Sequence, residues 1–292
     1  MILGEHGYQS YFFSPHATAA KFTAMLGTLG FTRVFTYESI GQGLLQGHFR
    51  ARAGTGSLDD ASLFRGLVAF LQQRRAGNDT QPFFIALYNI GTHAFIHTDA
   101  NDIRYGDSRN PALNRLHNYD HAVGLFLNYF LHSAYADNTI LIFTTDHATY
   151  PEPDYRAVAG QQSKPYFVDR IPLLIDDPFR RLPRQFDADG RNSLDLAPTL
   201  LQLLGIRAAR NSFLGHSLFE PRSFAAGFSA LGSRFYLTTT HGIFDVDDAP
   251  AALQPIFACE AHVVREYYEA EAANRLASAP APAAHLPATH PR

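Results

Sequence analysis

Thr139 to His147, T-I-L-I-F-T-T-D-H, decides how this chain is read. A turn pair, Asp137-Asn138, precedes it, and Ile140, Leu141, Ile142 and Phe143 make a short unbroken apolar run. Such a run, bounded by a turn and rich in β-branched residues, suits a strand buried on both faces within a parallel sheet. It stops abruptly at Asp146 and His147. Open α/β sheets bind ligands outside the carboxyl ends of their strands, which is where this pair falls. A carboxylate offers oxygen, and a neutral imidazole offers nitrogen, to a divalent ion. Taken alone, Asp146 reads as well as a cap for the next segment, and His147 as a loop histidine. The strand ahead and the chain behind turn the reading towards a site.

Upstream, Pro82 to Asn89, P-F-F-I-A-L-Y-N, is a second mostly apolar strand, and it also delivers histidine. Gly91-Thr92-His93 follows it, then Phe95 and His97. Between the two strands, Pro111 to Phe130 carries Leu113, Leu116, Tyr119, Val123, Phe126 and Phe130 at the spacing of an amphipathic helix. Strand, helix, strand in that order is a βαβ unit with a right-handed crossover.

Earlier still, Gly7 to Ser14 reads as an aromatic-rich strand ending at Pro15-His16. Ala17 to Leu29 has helical spacing with Phe22, Met25, Leu26 and Leu29 on one face, and Gly30 suits its C-terminal cap. Phe31 to Thr36 reads as a strand, and the glycine-rich stretch Ile40 to Thr55, without period, as loop. Ser57-Leu58-Asp59-Asp60 resembles a capping box for a helix reaching about Arg75. Beyond His147, proline and glycine break the chain as far as Lys164, so this stretch reads as a long loop, usually functional or mobile. Ile171 to Ile175 reads as a strand, Leu194 to Leu204 as a helix opened by Ser193, and Arg234 to Thr239 with Gly242 to Val246 as a hairpin. Glu260 to Ser278 is the last expected helix, and the Pro/Ala tail 279–292 has nothing to bury.

Composition narrows the class. At 46% hydrophobic, the 292 residues can build a large core. No run approaches the ~18 apolar residues of a membrane span. The opening M-I-L-G-E-H-G-Y lacks the basic and apolar regions of a signal peptide. A net charge of -3 with no basic run argues against nucleic acid as a partner. The single Cys259 excludes an internal disulfide. Of the 14 histidines most are expected in surface or core roles. His117 and His121 lie one turn apart, but on a helix expected to pack away from the strand ends.

Several blocks, in order, carry a resemblance: G-Y-Q-S (7–10), G-T-H-A-F (91–95), Y-D-H-A-V-G-L-F-L (119–127), D-N-T-I-L-I-F-T-T-D-H (137–147), I-P-L-L-I (171–175), L-D-L-A-P-T-L-L-Q-L-L-G-I (194–206) and F-L-G-H-S-L-F (213–219). Together they resemble the sulfatase family of the alkaline phosphatase superfamily, most of all its lipoteichoic acid synthase and phosphoglycerol transferase branch. The resemblance implies an α/β fold, a mixed and mainly parallel sheet with helices on both faces. It implies a metal-dependent hydrolase or phosphoglycerol-type transferase acting on an anionic ester, a sulfate or a phosphate mono- or diester. The cofactor implied is a divalent metal at the strand ends, Mn²⁺ first, with Zn²⁺, Mg²⁺ or Ca²⁺ as alternatives. Catalytic domains of this family are usually membrane-anchored and extracytoplasmic.

Residue by residue, Asp146 and His147 match the family's metal-binding pair. His93 matches the histidine that faces the substrate's anionic group, and is the catalytic candidate. His16 lies where the family has another substrate-side histidine, although the aromatic and arginine positions that should follow it are not evident. Lys164, with His93, is a candidate for binding the substrate's charge. The family's first strand, with its acidic ligand, and its nucleophilic threonine precede the segment equivalent to Gly7-Tyr8, where this chain begins. Thr144 and Thr145 follow a different strand, and Ser14 precedes a different helix. The expectation is therefore that residues 1–278 form a catalytic domain lacking its first strand, with a slot or an exposed apolar edge in the sheet, and that 279–292 are a disordered tail. Self-association, or a partner supplying the absent N-terminal segment, is expected to follow. The alternative is a catalytically inactive remnant that keeps the fold and an anion or metal site.

Overall fold

The computed structural model describes residues 2–53, 55–160, 169–207, 211–221, 226–231, 234–239, 241–273 and 275–276. The tail 279–292 and Lys164 lie outside them. The chain divides into two compact units, residues 1–184 and 185–292.

In the first unit, β1 (Gln9–Phe13) is the middle strand of a parallel sheet in the order β2-β1-β3, with β2 at Arg33–Phe35 and β3 at Phe83–Leu87. Register brings Phe13 opposite Phe35 on one side and Leu87 on the other. Strand side chains alternate faces. Phe13 and Tyr11 point one way, against Phe70 of α3 (Asp60–Ala76). Phe12 points the other way, against Phe22 of α2 (Lys21–Thr28). Helices therefore cover both faces, as expected for this α/β class. The core gathers Phe13, Phe35, Leu63, Leu67 and Phe70 with Phe126 and Phe130 of α4 (Pro111–Leu131). Buried Arg74 ties the end of α3 to β1, donating to Gln9 Oε1 at 3.0 Å and Tyr11 OH at 3.1 Å, and it pairs with Asp79 at 2.7 Å.

Several local expectations need correction. The buried face of α2 is Thr23 and Leu26, while Met25 and Leu29 are about half exposed, because the helix has only eight residues, about two turns, and buries a narrow stripe. The stretch from Ile40 is not all loop: Ser39–Leu44 forms a π-helical turn whose Ile40 is fully buried. Gly66 makes room for it, since a Cβ there would meet Ile40 Cγ2 at 2.3 Å. The cap of α3 is Asp59, accepting from Ser62 N at 2.7 Å, rather than Ser57, which is buried. The stretch after His147 holds a helix, α5 (Pro153–Ala159).

The largest difference concerns β4 (Leu141–Thr144). It pairs antiparallel with β5 (Leu173–Asp176) and is not a hydrogen-bonded neighbour of β3. The order β3, α4, β4 is as read, but the two strands of that unit stand in separate sheets. Every residue of β3 and of β4 is half-buried, not fully buried.

The second unit contains α6 (Leu196–Leu203), the antiparallel sheet β6-β7-β8 (Ala226–Leu231, Arg234–Thr239, Gly242–Asp245) and α7 (Gln254–Ala272) around Phe228, Leu237 and Phe257. A capping box between Asn192 and Asp195 starts the helical segment before α6. Strand β6, A-G-F-S-A-L, has little intrinsic strand propensity and forms by pairing with β7.

Candidate functional site

The segments that follow three strands of the first unit come together at the strands' carboxyl ends. After β1 come Ser14, Pro15 and His16; after β3 come Tyr88 and the 89–97 loop; after β4 come Thr145, Asp146 and His147. His16 is half-buried, its ring 5.6 Å from that of Phe22 and 6.2 Å from that of Tyr88. Burial holds the His16 imidazole below the ordinary histidine pKa. Tyr88 is pushed up, first by burial and then by the negative charge of Asp146 and the neighbouring Tyr150, so its phenol stays protonated. The Tyr150 ring stands 5.4 Å from His93 and 5.3 Å from His147. His16, His93, Asp146 and His147 thus gather around two tyrosines.

The two outer histidines are oriented by their own backbone. His93 Nδ1 bonds the Ala94 carbonyl at 2.8 Å, and His147 Nδ1 bonds the Ala148 carbonyl at 2.7 Å. A carbonyl only accepts, so both Nδ1 atoms donate, and in the neutral form of either ring Nε2 is the nitrogen that carries the lone pair. His147 Nε2 lies 3.5 Å from Asp146 Oδ2, and the Asp146 carboxylate also accepts the His147 amide at 3.0 Å. The Asp146 side chain is 60% exposed and that of His147 33%, so both can be reached from solvent.

These two side chains suit a divalent ion by chemistry, one oxygen and one nitrogen donor meeting at one point. Among the described residues no group of three or more His, Cys, Asp or Glu could hold a metal. Two protein ligands fall short of the three or four of a stable site. Neither threonine ahead of the pair presents its hydroxyl for attack: Thr145 Oγ1 is buried, and Thr144 Oγ1 donates to the Pro172 carbonyl at 2.9 Å.

Buried polar contacts fix the loop that carries His93. Asp60, at the start of α3, accepts from Gly91 N at 3.1 Å and Asn89 Nδ2 at 3.2 Å, while burial raises its carboxyl pKa. Farther along, Glu152 accepts from Phe95 N at 3.0 Å and pairs with Arg115 of α4. Arg115 Nη1 in turn donates to the Ile96 carbonyl at 3.1 Å. The histidines set aside stand elsewhere: His117 packs on Tyr105 and His121 lines a polar cavity with Asp60 and Arg115. Tyr88, Tyr150, Arg115 and Glu152 escaped the sequence reading. Tyr88 could have been found, since it directly follows an apolar strand; Tyr150 and Glu152 sit in an aperiodic stretch with no local signal.

The parallel sheet with helices on both faces is an α/β fold of the alkaline phosphatase kind. Residues 1–206 match the family model described as Sulfatase, and the chain belongs to the sulfatase family. Among solved structures, it is similar to a protein of the alkaline phosphatase superfamily from Vibrio parahaemolyticus: 18% identity, TM-score 0.70, covering 95% of this chain and 69% of that one. It is also similar to the lipoteichoic acid synthase LtaP from Listeria monocytogenes: 16% identity, TM-score 0.72, covering 94% of this chain and 72% of that one. Among curated proteins none matches. Among the described residues no helix is long and apolar enough to cross a membrane.

Proposed function

We propose that the cleft binds an anionic ester, a sulfate or a phosphate mono- or diester, and belongs to a metal-dependent hydrolase or phosphoglycerol-type transferase. The observation that carries this reading is the gathering of His16, His93, Asp146 and His147 around Tyr88 and Tyr150. His93 faces the substrate's charged group as the catalytic candidate. His16 and the protonated Tyr88 donate hydrogen bonds to its oxygens. Tyr150 packs against His93 and His147 and holds their rings apart. Lys164 adds charge to the same substrate. Asp146 and His147 hold a divalent ion, Mn²⁺ by preference, whose remaining ligands come from outside the described residues. When bound, such an ion supplies positive charge against the developing oxyanion. The family resemblance favours an extracytoplasmic setting.

A second reading has its own support. Thr144 and Thr145 are not presented for attack and, among the described residues, only two metal donors converge, which favours a remnant that binds such anions without turning them over. Calorimetry and turnover with bis(p-nitrophenyl) phosphate in the presence of Mn²⁺ separate the two. Binding with turnover above a His147→Ala control supports the enzyme, and binding alone supports the remnant. Absence of binding, or equal binding by His93→Ala, refutes the site.

A further inference from the structure

The segment after His93 is pinned through its backbone. Phe95 N donates to Glu152 Oε2 at 3.0 Å, Arg115 Nη1 donates to the Ile96 carbonyl at 3.1 Å, and Arg52 Nη2 donates to the His97 carbonyl at 2.8 Å. Glu152, Arg115 and Arg52 are all buried. Three consecutive residues are thus each fixed by a buried charged side chain, and hydrogen bonds to charged groups are the strong ones.

Phe95 itself gains little from this arrangement. Its φ is +64°, and the other described non-glycine residues with positive φ are Gln46, Asn78, Ser108 and Arg180, none of them aromatic. A bulky residue is rare in that region, and such strain persists only where the surroundings impose it. The Phe95 side chain is also 66% exposed, more than any other large hydrophobic residue among those described. A single exposed apolar side chain is ordinary. A strained one, fixed from behind by buried charges, has neither backbone preference nor burial to account for its position.

The ring stands beside the candidate site. Its centroid is 6.3 Å from that of Tyr150, with the two planes 57° apart, and Tyr150 in turn lies 5.4 Å from His93 and 5.3 Å from His147. Phe95 and Tyr150 therefore form an aromatic corner one ring away from the two imidazoles. Phenylalanine brings no charge or hydrogen-bonding group, so it suits the part of a ligand that is not anionic. Aromatic rings favour other rings, in offset or edge-to-face contact.

We infer that Phe95 is a specificity-determining residue: with Tyr150 it seats a flat, apolar ring in the alcohol portion of the ester, next to the anionic group that His93 faces. This rests on the ester-binding reading and narrows it. Esters carrying a ring, either an aryl group or the apolar face of a sugar, are preferred over open-chain esters such as glycerol phosphate.

The test is calorimetric titration of the full chain in Mn²⁺ with inorganic phosphate, glycerol phosphate, phenyl phosphate and glucosyl phosphate. Wild type is compared with Phe95→Ala, Phe95→Tyr and His93→Ala. Phenyl phosphate should bind wild type more tightly than glycerol phosphate. Phe95→Ala should weaken phenyl phosphate by roughly 3- to 10-fold, the scale of one aromatic pair, and leave inorganic phosphate unchanged. Phe95→Tyr, which keeps the ring, should retain the wild-type preference. A loss for glucosyl phosphate as well extends the ring to sugars, and a loss for phenyl phosphate alone confines it to aryl groups. Phenyl phosphate affinity indifferent to Phe95→Ala, or inorganic phosphate falling in step with it, would overturn the inference while the ester site stands. Inorganic phosphate that fails to bind wild type, or binds His93→Ala equally, would overturn the ester-binding reading and this inference with it.

Discussion

Arg115 and Glu152 form an ion pair with both side chains only 4% exposed, linking α4 to the segment between His147 and α5. Each also holds the His93 loop, Glu152 through Phe95 N and Arg115 through the Ile96 carbonyl. The pair thus fastens the two arms of the cleft to one helix. Breaking a buried pair from one side leaves an uncompensated charge, at a cost of about 3–5 kcal/mol. Glu152→Gln should lose stability of that order in urea unfolding. Arg115→Met with Glu152→Leu should lose much less, because no lone charge remains buried. A single-variant loss below ~1 kcal/mol, the range of exposed pairs, would mean that the pair is solvated.

Gly91 and Gly124 should respond to alanine in opposite directions. A Cβ on Gly91 would meet Asp60 Oδ2 at 2.2 Å, while one on Gly124, in the interior of α4, meets nothing within 4 Å. Overpacking at Gly91 is expected to cost about 1–3 kcal/mol. At Gly124, exposed on its helix, alanine should stabilise by about 0.5–1 kcal/mol. Thermal unfolding of the two variants measures this, and a Gly91→Ala protein as stable as wild type would show that Asp60 is not held in place.

Stability should fall on acidification partly through His16. Its folded pKa lies below the ordinary value because burial disfavours the charged ring. The unfolded chain therefore binds the proton more readily, and the contribution of His16 is complete above ~6.5. It is lost as pH falls from there through the folded pKa. His16→Asn should flatten the fall in Tm across that window, and an unchanged slope would mean that His16 titrates normally.

The strands themselves were legible in the sequence because they are short and bounded by turns, and α4 because Tyr119, Val123, Phe126 and Phe130 keep one period, whereas the antiparallel pairing of β4 with β5, where a parallel sheet was expected, was not. The strand-end positions of His16, His93, Asp146 and His147 followed from those strands. The half-buried state of β4 did not, since an apolar run reports affinity for burial and not whether a neighbouring strand is present. The π-helical turn at Ile40 depends on the space above Gly66, a tertiary fact. The Arg115–Glu152 pair joins residues 37 apart in sequence, beyond the reach of any local pattern.

The most direct measurement is the broadening of histidine ring signals by substoichiometric Mn²⁺, a paramagnetic ion, in NMR spectra of wild type and Asp146→Ala. If Asp146 and His147 hold the ion within the shared cleft, His147 should broaden first and His93 next, while His6, ahead of β1 at the other end of the sheet, stays sharp. Asp146→Ala should abolish that selectivity. Uniform broadening of all histidines, or an unchanged pattern in Asp146→Ala, would contradict the assignment of this cleft as the ion site.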